Sequence, residues 1–539
     1  MGSGIKVQGI LFWVLYLASL SLIVVKTVNG ESKGVTVKGI VVINESTVIG
    51  NIDNDFVCAT LDWWPPEKCD YGRCSWGHAS LFNLDLNNKT FLNAVKAFSP
   101  LKIRLGGTLQ DKLIYGTEDN KQPCTPFFAN KSEMFGFTKG CLPMKRWDEL
   151  NKFFANAGAK IIFGLNALTG KTIEYGSAVG PWNYTNAESF IRYTVSKNYT
   201  IFGWELGNEL SGKGIGTSIS ARQYAYDVAA MKDIVYKAYE KIDPKPLIIA
   251  PGGFFDANWF KEFVTKSNTS LEVVSHHIYN LGPGVDEHLV DKILNPLYLD
   301  GEAHTFANLK NVLASSGTSA TSWVGESGGA YNSGRHLVSD SFVYSFWYLD
   351  QLGMSATFDT KTYCRQSLIG GNYGLLNTTN FTPNPDYYSA LLWHRLMGRR
   401  VLSTAFMGSS KLRAYAHCAK QSKGITILLM NLDNSTTVET EVALRKNLWH
   451  KNMSDDSKEM KLNFLSGTER AREEYHLTPH DGNIHSQIMA LNGNILTVNS
   501  NGEIPSLQPI YVNPSNPIVV APFSIVFAHI PDAVVTACK

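Results

Sequence analysis

Glu205, Asn208 and Glu209 crowd the end of one apolar run, FGWELGNELSGKG (Phe202 to Gly214), and a distant run, SWVGES, ends near a further carboxylate, Glu326. Two carboxyls brought face to face from separate segments suit one chemistry above others, glycoside cleavage with retention of configuration. That reaction needs the pair at about 5–5.5 Å, one protonated to assist the leaving oxygen and one ionised to attack the anomeric carbon. Glu209 and Glu326 are the candidate pair, and the amide of Asn208, beside the expected acid, is placed to bond a sugar 2-hydroxyl as charge builds in the transition state. Glu205 lies inside its run and is expected to point elsewhere.

Two plainer readings compete. A lone Glu after a strand is usually a helix-start charge stabilised by the macrodipole. Gly207 to Lys213 also reads G-x-x-x-x-G-K, but Gly214 stands where a phosphate-binding loop needs Ser or Thr to hold magnesium. Two carboxylates, each preceded by glycine and small or amide residues at separate run ends, outweigh both readings. Asp359 is a third carboxylate at a run end.

The positioning elements are short β-branched runs alternating with helical patterns. FVCATLDWW, LKIRLGG, KIIFGLNA, IFGWELGN, LIIAPGG, LEVVSHHIY, SWVGES and SATFDT make eight, which fits an α/β fold of the (β/α)₈ TIM barrel type. Helices are expected at MKRWDELNKFFANAG, ARQYAYDVAAMKDIVYKAYEKI and HLVSDSFVYSFWYLDQLG, with a last one from Pro385 to near Gly398. Carboxylates at the C-terminal ends of strands four and seven would then face each other across the barrel mouth. Asp62, Thr108 and Asn166, at the ends of strands one, two and three, are candidate sugar contacts. Beyond Arg400 strands and turns take over, as in GITILLMNLD and SIVFAHI, and read as a C-terminal β-sandwich. The expected division is a leader at 1–30, a β segment at 31–54 that packs with the sandwich, the barrel at 55–399, and the β-sandwich at 400–539. The charged stretch RKNLWHKNMSDDSKEMK reads as a solvated loop between strands.

A formal charge of +2 over 539 residues gives no electrostatic grip on nucleic acid. Lys6 precedes the apolar run Ile10 to Val25, followed by TVNGES, the pattern of a secretory signal peptide removed near Gly30. An exported chain could use its Asn-x-Ser/Thr sites at Asn44, Asn88, Asn130, Asn183, Asn198, Asn268, Asn377, Asn380, Asn434 and Asn452 for glycosylation. Its eight cysteines would meet an oxidising compartment. Disulfides are their expected use, Cys124 with Cys141 closing a loop and Cys418 with Cys538 tying down the C-terminus, although spacing leaves the connectivity open. Cys69 and Cys74 lack a second close Cys or His pair, so no metal site is expected, and no cofactor is implied.

In order along the chain, IRLGGTLQD, FGLNAL, WELGNEL, SHHIYN, GESGGAY, RQSLIGGNYGLL and PDYYSALLWHRLMG resemble the heparanase-like β-glucuronidases of glycoside hydrolase family 79, especially the plant heparanase-like proteins. The resemblance implies that Glu209 is the acid/base and Glu326 the nucleophile. It implies that a His and a Tyr after strand six orient nucleophile and sugar. His277 and Tyr279 fit, whereas His276 would pair with Ile278, which cannot donate a hydrogen bond. It also implies a glucuronate carboxylate held by Gly371, Asn372 and Tyr373 and by backbone donors after the nucleophile, where this chain has Asn332 and Ser333. No Arg or Lys clamp is apparent, and Arg365 is the cationic alternative. The segment EDNKQPCTPFFANKSEMFGFTKGC is short and carries no dense basic cluster, so a single-chain enzyme without a heparan sulfate preference is expected.

The expected activity is removal of β-linked glucuronic acid from secreted or cell-wall glycans, arabinogalactan side chains being the plant-type substrate. An arabinofuranosidase or xylosidase, or a noncatalytic glycan-binding wall protein, are the alternatives. The expected location is extracellular or cell wall, or a vacuole or lysosome-like compartment with peripheral membrane association. Oligomeric state and exo or endo action stay open.

Overall fold

The structure, a computed structural model, describes residues 35–120, 123–446, 462–465 and 470–539. The expected leader at 1–30, the sequon at Asn452 and most of the charged stretch lie outside the described residues.

Eight parallel strands close a barrel in chain order: Val57–Asp62, Lys102–Gly106, Lys160–Leu165, Gly203–Leu206, Leu247–Phe254, Val273–Ile278, Thr321–Ser327 and Thr362–Arg365. Every residue of strands one, two, four and six is buried. This explains why they read as near-continuous apolar runs, since side chains alternate between the barrel interior and the helix layer and both faces are covered. The helices Met144–Ala157, Ala221–Ala238 and Pro385–Leu396 fall where the sequence patterns put them, while the one expected at HLVSDSFVYSFWYLDQLG starts later, at Phe342, and runs on to Thr357.

Strand eight corrects the sequence reading. SATFDT is the last turn of helix Phe342–Thr357 and its exit, not a strand. The helix is buried almost all round, so it shows no amphipathic period to mark where it ends. Asp359 therefore sits before the strand, at the end of the barrel away from the mouth. Its Oδ1 accepts from Asn51 N at 2.7 Å and from Lys361 Nζ at 2.6 Å.

Outside the barrel, three two-stranded ribbons lie among the barrel's loops, and a second sheet has 12 strands. The N-terminal strand Thr36–Asn51 enters it antiparallel to Met397–Met407 and parallel to Thr437–Arg445. In its central strand Ile425–Asn431 the two faces part company: Ile427 and Leu429 join the sheet's own core, while Leu428 and Met430 join the barrel core. Ser524–Ile530 does the same, with Val526 and Ala528 on one face and Ile525 and Phe527 on the other. A shared core thus welds the sheet to the barrel, with the helices Phe342–Thr357 and Pro385–Leu396 between them.

Four disulfides are present. Cys124–Cys141 and Cys418–Cys538 are the two read from the sequence, and Cys58–Cys364 and Cys69–Cys74 complete the set. Cys58–Cys364 links the first barrel strand to the last.

Candidate active site

Strand four stops abruptly at Leu206. Gly207 takes φ 70°, and a Cβ there would meet the Tyr224 hydroxyl at 2.3 Å, so the close turn requires glycine. Glu209 follows with φ 55°, an uncommon conformation for a side-chain-bearing residue and one found at functional sites. Two anchors fix it: Glu209 N donates to Gly252 O at 2.7 Å, and Asn208 N donates to Asp111 Oδ2 at 2.8 Å. Asp111 Oδ1 also accepts from Ala167 N at 2.8 Å, tying the loops after strands two, three and four together.

Glu326, on strand seven, meets Glu209 across the mouth. One carboxylate oxygen of each, with a ring nitrogen of His277, lie within 4.8 Å of one another. Their surroundings differ. Both oxygens of Glu326 accept strong donors, Oε2 from Arg104 Nη1 at 2.7 Å and Oε1 from Tyr279 Oη at 2.6 Å, the pattern of an ionised carboxylate. Glu209 has a single side-chain contact, His277 Nδ1 at 3.0 Å from Oε1. Burial pushes the Glu209 carboxyl up to about 7, only partly offset by Arg104. Burial also depresses His277 to about 4, which keeps the ring neutral beside a protonated acid. Glu209, His277 and Glu326 have the donor types of a metal site. Here His277 bonds Glu209, while Glu326 is held by Tyr279 and by Arg104, whose guanidinium supplies the local positive charge.

Arg104 and Glu205 are the residues the sequence reading missed or misplaced. Glu205 does not point elsewhere. It reaches into the barrel below the acid, where Oε2 accepts from Arg104 Nε at 2.6 Å and Oε1 from Ser275 Oγ at 2.7 Å. Arg104 Nη2 then donates to Asn208 Oδ1 at 2.9 Å, orienting the amide beside Glu209. An Arg and a Glu inside otherwise apolar strands were the available signal, because a buried charge needs a partner.

The cleft above has a volume of about 330 Å³ and is lined by Asp62, Thr108, Tyr279, Tyr373, Asn332 and Ser333 besides the two glutamates. Asp62 is buried, with Oδ2 accepting from Gln366 Nε2 at 2.9 Å, and burial with the nearby Glu326 charge raises its carboxyl well above the usual range. Tyr373 packs edge-on to Trp76. Lys68, unnoticed in the sequence, also lines the cleft, with Nζ 4.5 Å from the Trp64 ring centre and 2.7 Å from Asp70 Oδ1.

Several expectations are corrected. Asn166 faces away from the cleft: its Nδ2 donates to Leu113 O at 3.0 Å, and it lines a neighbouring cavity of about 510 Å³. Its short amide satisfies the turn after strand three. Gly371 lies behind the Tyr373 ring, where a Cβ would meet Cε2 at 2.8 Å, and Asn372 turns toward a separate cavity. Arg365 is wholly buried, paired with Asp386 at 3.0 Å and packed among Tyr344, Trp347 and Tyr348, so it cannot reach a substrate carboxylate. His277 contacts the expected acid, not the expected nucleophile. His276 faces outward against Phe306.

Residues 38–353 match the family model for the N-terminal domain of glycosyl hydrolase family 79. Heparanase-like protein 3 of Arabidopsis thaliana is 61% identical over 512 residues, 94% of this chain and 96% of its own length. Baicalin-beta-D-glucuronidase of Scutellaria baicalensis is 44% identical over 512 residues, covering 92% and 93% of the two chains. Among solved structures, the 4-O-alpha-L-rhamnosyl-beta-D-glucuronidase of Fusarium oxysporum shares the fold with a TM-score of 0.62 at 15% identity, over 91% of this chain and 100% of its own.

Proposed function

The chain belongs to glycosyl hydrolase family 79, and we propose that it is a retaining β-glucuronidase with Glu209 as acid/base and Glu326 as nucleophile. The observation that carries this reading is the confrontation of the two carboxyls within 4.8 Å in unlike settings. Oxygens that close fit the roughly 5–5.5 Å carboxyl spacing of retaining enzymes better than the wider gap that leaves room for a water. Glu326 attacks the anomeric carbon while the Glu209 proton passes to the glycosidic oxygen, and the alcohol departs. Water then attacks the glycosyl ester, Glu209 takes its proton, and Glu326 is released as carboxylate. Arg104 and Tyr279 hold Glu326 for in-line attack, and the neutral His277 steadies Glu209 without removing its proton.

The acid sugar is met by Tyr373, Ser333 and Lys68 on the strand-one, seven and eight side of the cleft. Oriented dipoles and one partly neutralised cation can bind a carboxylate without a dedicated guanidinium. Export suits the same reading. Asn130, Asn183, Asn198, Asn268, Asn380 and Asn434 are exposed, Asn44, Asn88 and Asn377 are half-buried, and four disulfides favour an oxidising compartment. Among the described residues no helix is long and apolar enough to cross a membrane.

The test is hydrolysis of 4-nitrophenyl β-D-glucuronide against the matching xyloside, galactoside and arabinofuranoside, with the first-formed product followed by proton NMR. The β-anomer of glucuronic acid appearing first is the expected result. A first-formed α-anomer would refute the retaining mechanism, and preference for a neutral sugar would refute the substrate.

A further inference from the structure

The two ends of the cleft differ in chemistry. At one end the loop after strand one is bonded to the loop after strand seven: Trp76 Nε1 donates to Ser333 Oγ at 2.9 Å, Asn332 Nδ2 to Tyr71 Oη at 2.9 Å, and Ser333 Oγ to Asp70. The Cys69–Cys74 disulfide braces this loop. Apart from the two glutamates, the charged residues of the cleft, Asp62, Lys68 and Asp70, all come from strand one and its loop.

At the other end Glu209 is flanked by apolar side chains. Ile215 N donates to Glu209 O at 2.8 Å, and Gly252, which accepts from Glu209 N, lies two residues before Phe254. Ile215 and Phe254 line the cleft and are 43% and 38% exposed. They are held there by their neighbours. Ala178 N donates to Ser218 O at 2.8 Å and Ser218 N to Gly176 O at 3.1 Å, pinning the Ile215 loop, while the Phe254 ring stands 6.1 Å from that of Tyr279.

A general acid must lie against the oxygen it protonates. The leaving alcohol therefore departs over the Glu209 loop, and Ile215 with Phe254 bounds its path. We propose that the leaving-group subsite selects an apolar aglycone, an alkyl or aryl alcohol, over a hydrated or sulfated sugar chain. The inference rests on the β-glucuronidase reading above and adds the class of molecule attached to the glucuronate. Its source is desolvation, since apolar area removed from water on these two side chains stabilises the complex, and neither side chain can hydrogen-bond a sugar hydroxyl laid against it.

Alkyl β-D-glucuronides from methyl to octyl test it, because their leaving alcohols have nearly constant acidity. For the native chain kcat/KM should rise roughly two- to four-fold per methylene over the first few carbons, four-fold being the value for full burial. In an Ile215→Ser, Phe254→Ala double variant the slope should flatten, each series being referred to methyl glucuronide on the same preparation. A flat native series with methyl glucuronide turned over overturns the inference and leaves the glucuronidase reading intact. So does a slope that survives in the double variant, or a glucuronosyl disaccharide with a lower KM than the octyl glucuronide. Failure to cleave any β-glucuronide removes the underlying reading instead.

Discussion

Arg104 donates Nη1 to Glu326 Oε2 at 2.7 Å while its Nε is bound by Glu205 at 2.6 Å. One buried guanidinium thus stands between a carboxylate that never meets substrate and one that faces the cleft. Because Glu205 and Asn208 keep Arg104 paired, Glu326→Gln should fold. It should lose turnover by roughly 10⁴-fold or more, as removal of a nucleophile does. Steady-state rates on 4-nitrophenyl β-D-glucuronide with a thermal melt on the same sample check this, and a folded variant keeping a tenth of the activity would exclude Glu326 as the nucleophile.

Tyr279 touches the reaction through Glu326 Oε1 at 2.6 Å. Tyr279→Phe keeps the ring against Phe254 but frees one carboxylate oxygen, so Glu326 can rotate. A fall in kcat of roughly 10²-fold is expected, the size of one lost preorganised hydrogen bond. KM should change little. A variant whose loss lies wholly in KM would show that Tyr279 binds sugar instead of positioning the carboxylate.

Glu209 makes both rate and stability depend on pH. Its carboxyl is pushed up to about 7 by burial, so kcat/KM should fall as pH rises through about 7 and the acid ionises. Stability shares that sign, because a carboxyl with a raised folded pKa binds its proton more tightly in the native state and destabilises the fold once ionised. Glu209→Gln has no such loss. Its stability relative to the native chain should therefore improve from pH 5 to pH 8 by on the order of 3 kcal/mol. Urea unfolding at both values measures it, and a constant difference would mean that Glu209 titrates as an ordinary surface glutamate.

Much of this arrangement was visible in the residue pattern, for a definable reason. Seven barrel strands announced themselves as β-branched runs because both their faces are covered, and a glycine before each glutamate marked strand ends four and seven. Strand eight was hidden because Thr362–Arg365 is four residues long and follows a helix buried on all sides, which left SATFDT as the nearest strand-like string. Asn166 and Gly371 show the limit of reading by position. Both lie near strand ends, but whether a side chain meets the cleft depends on the turn that follows, and those turns are set by distant bonds such as Asp111 to Asn208. Arg104 with Glu205 was missed because partners on different strands share no spacing, and Lys68 because it lies in an irregular loop whose sequence does not show which way its side chain turns.

The Cys58–Cys364 disulfide joins residues that are already neighbours in the register of strands one and eight. It spans 306 residues, nearly the whole barrel. Its effect is therefore expected in the unfolded chain, where it removes the freedom of a very long loop, more than in the native sheet, where the strands pair without it. Strand eight offers few backbone bonds of its own, and the cleft wall carried by Gln366 and Tyr373 follows directly from it. A Cys58→Ser, Cys364→Ser double variant should lose about 2–5 kcal/mol in urea unfolding while keeping its kcat at low temperature. A variant of native stability would show that the unfolded chain is already held compact by other contacts. If kcat fell at temperatures where the fold is intact, the disulfide would be positioning the cleft wall as well as closing the barrel.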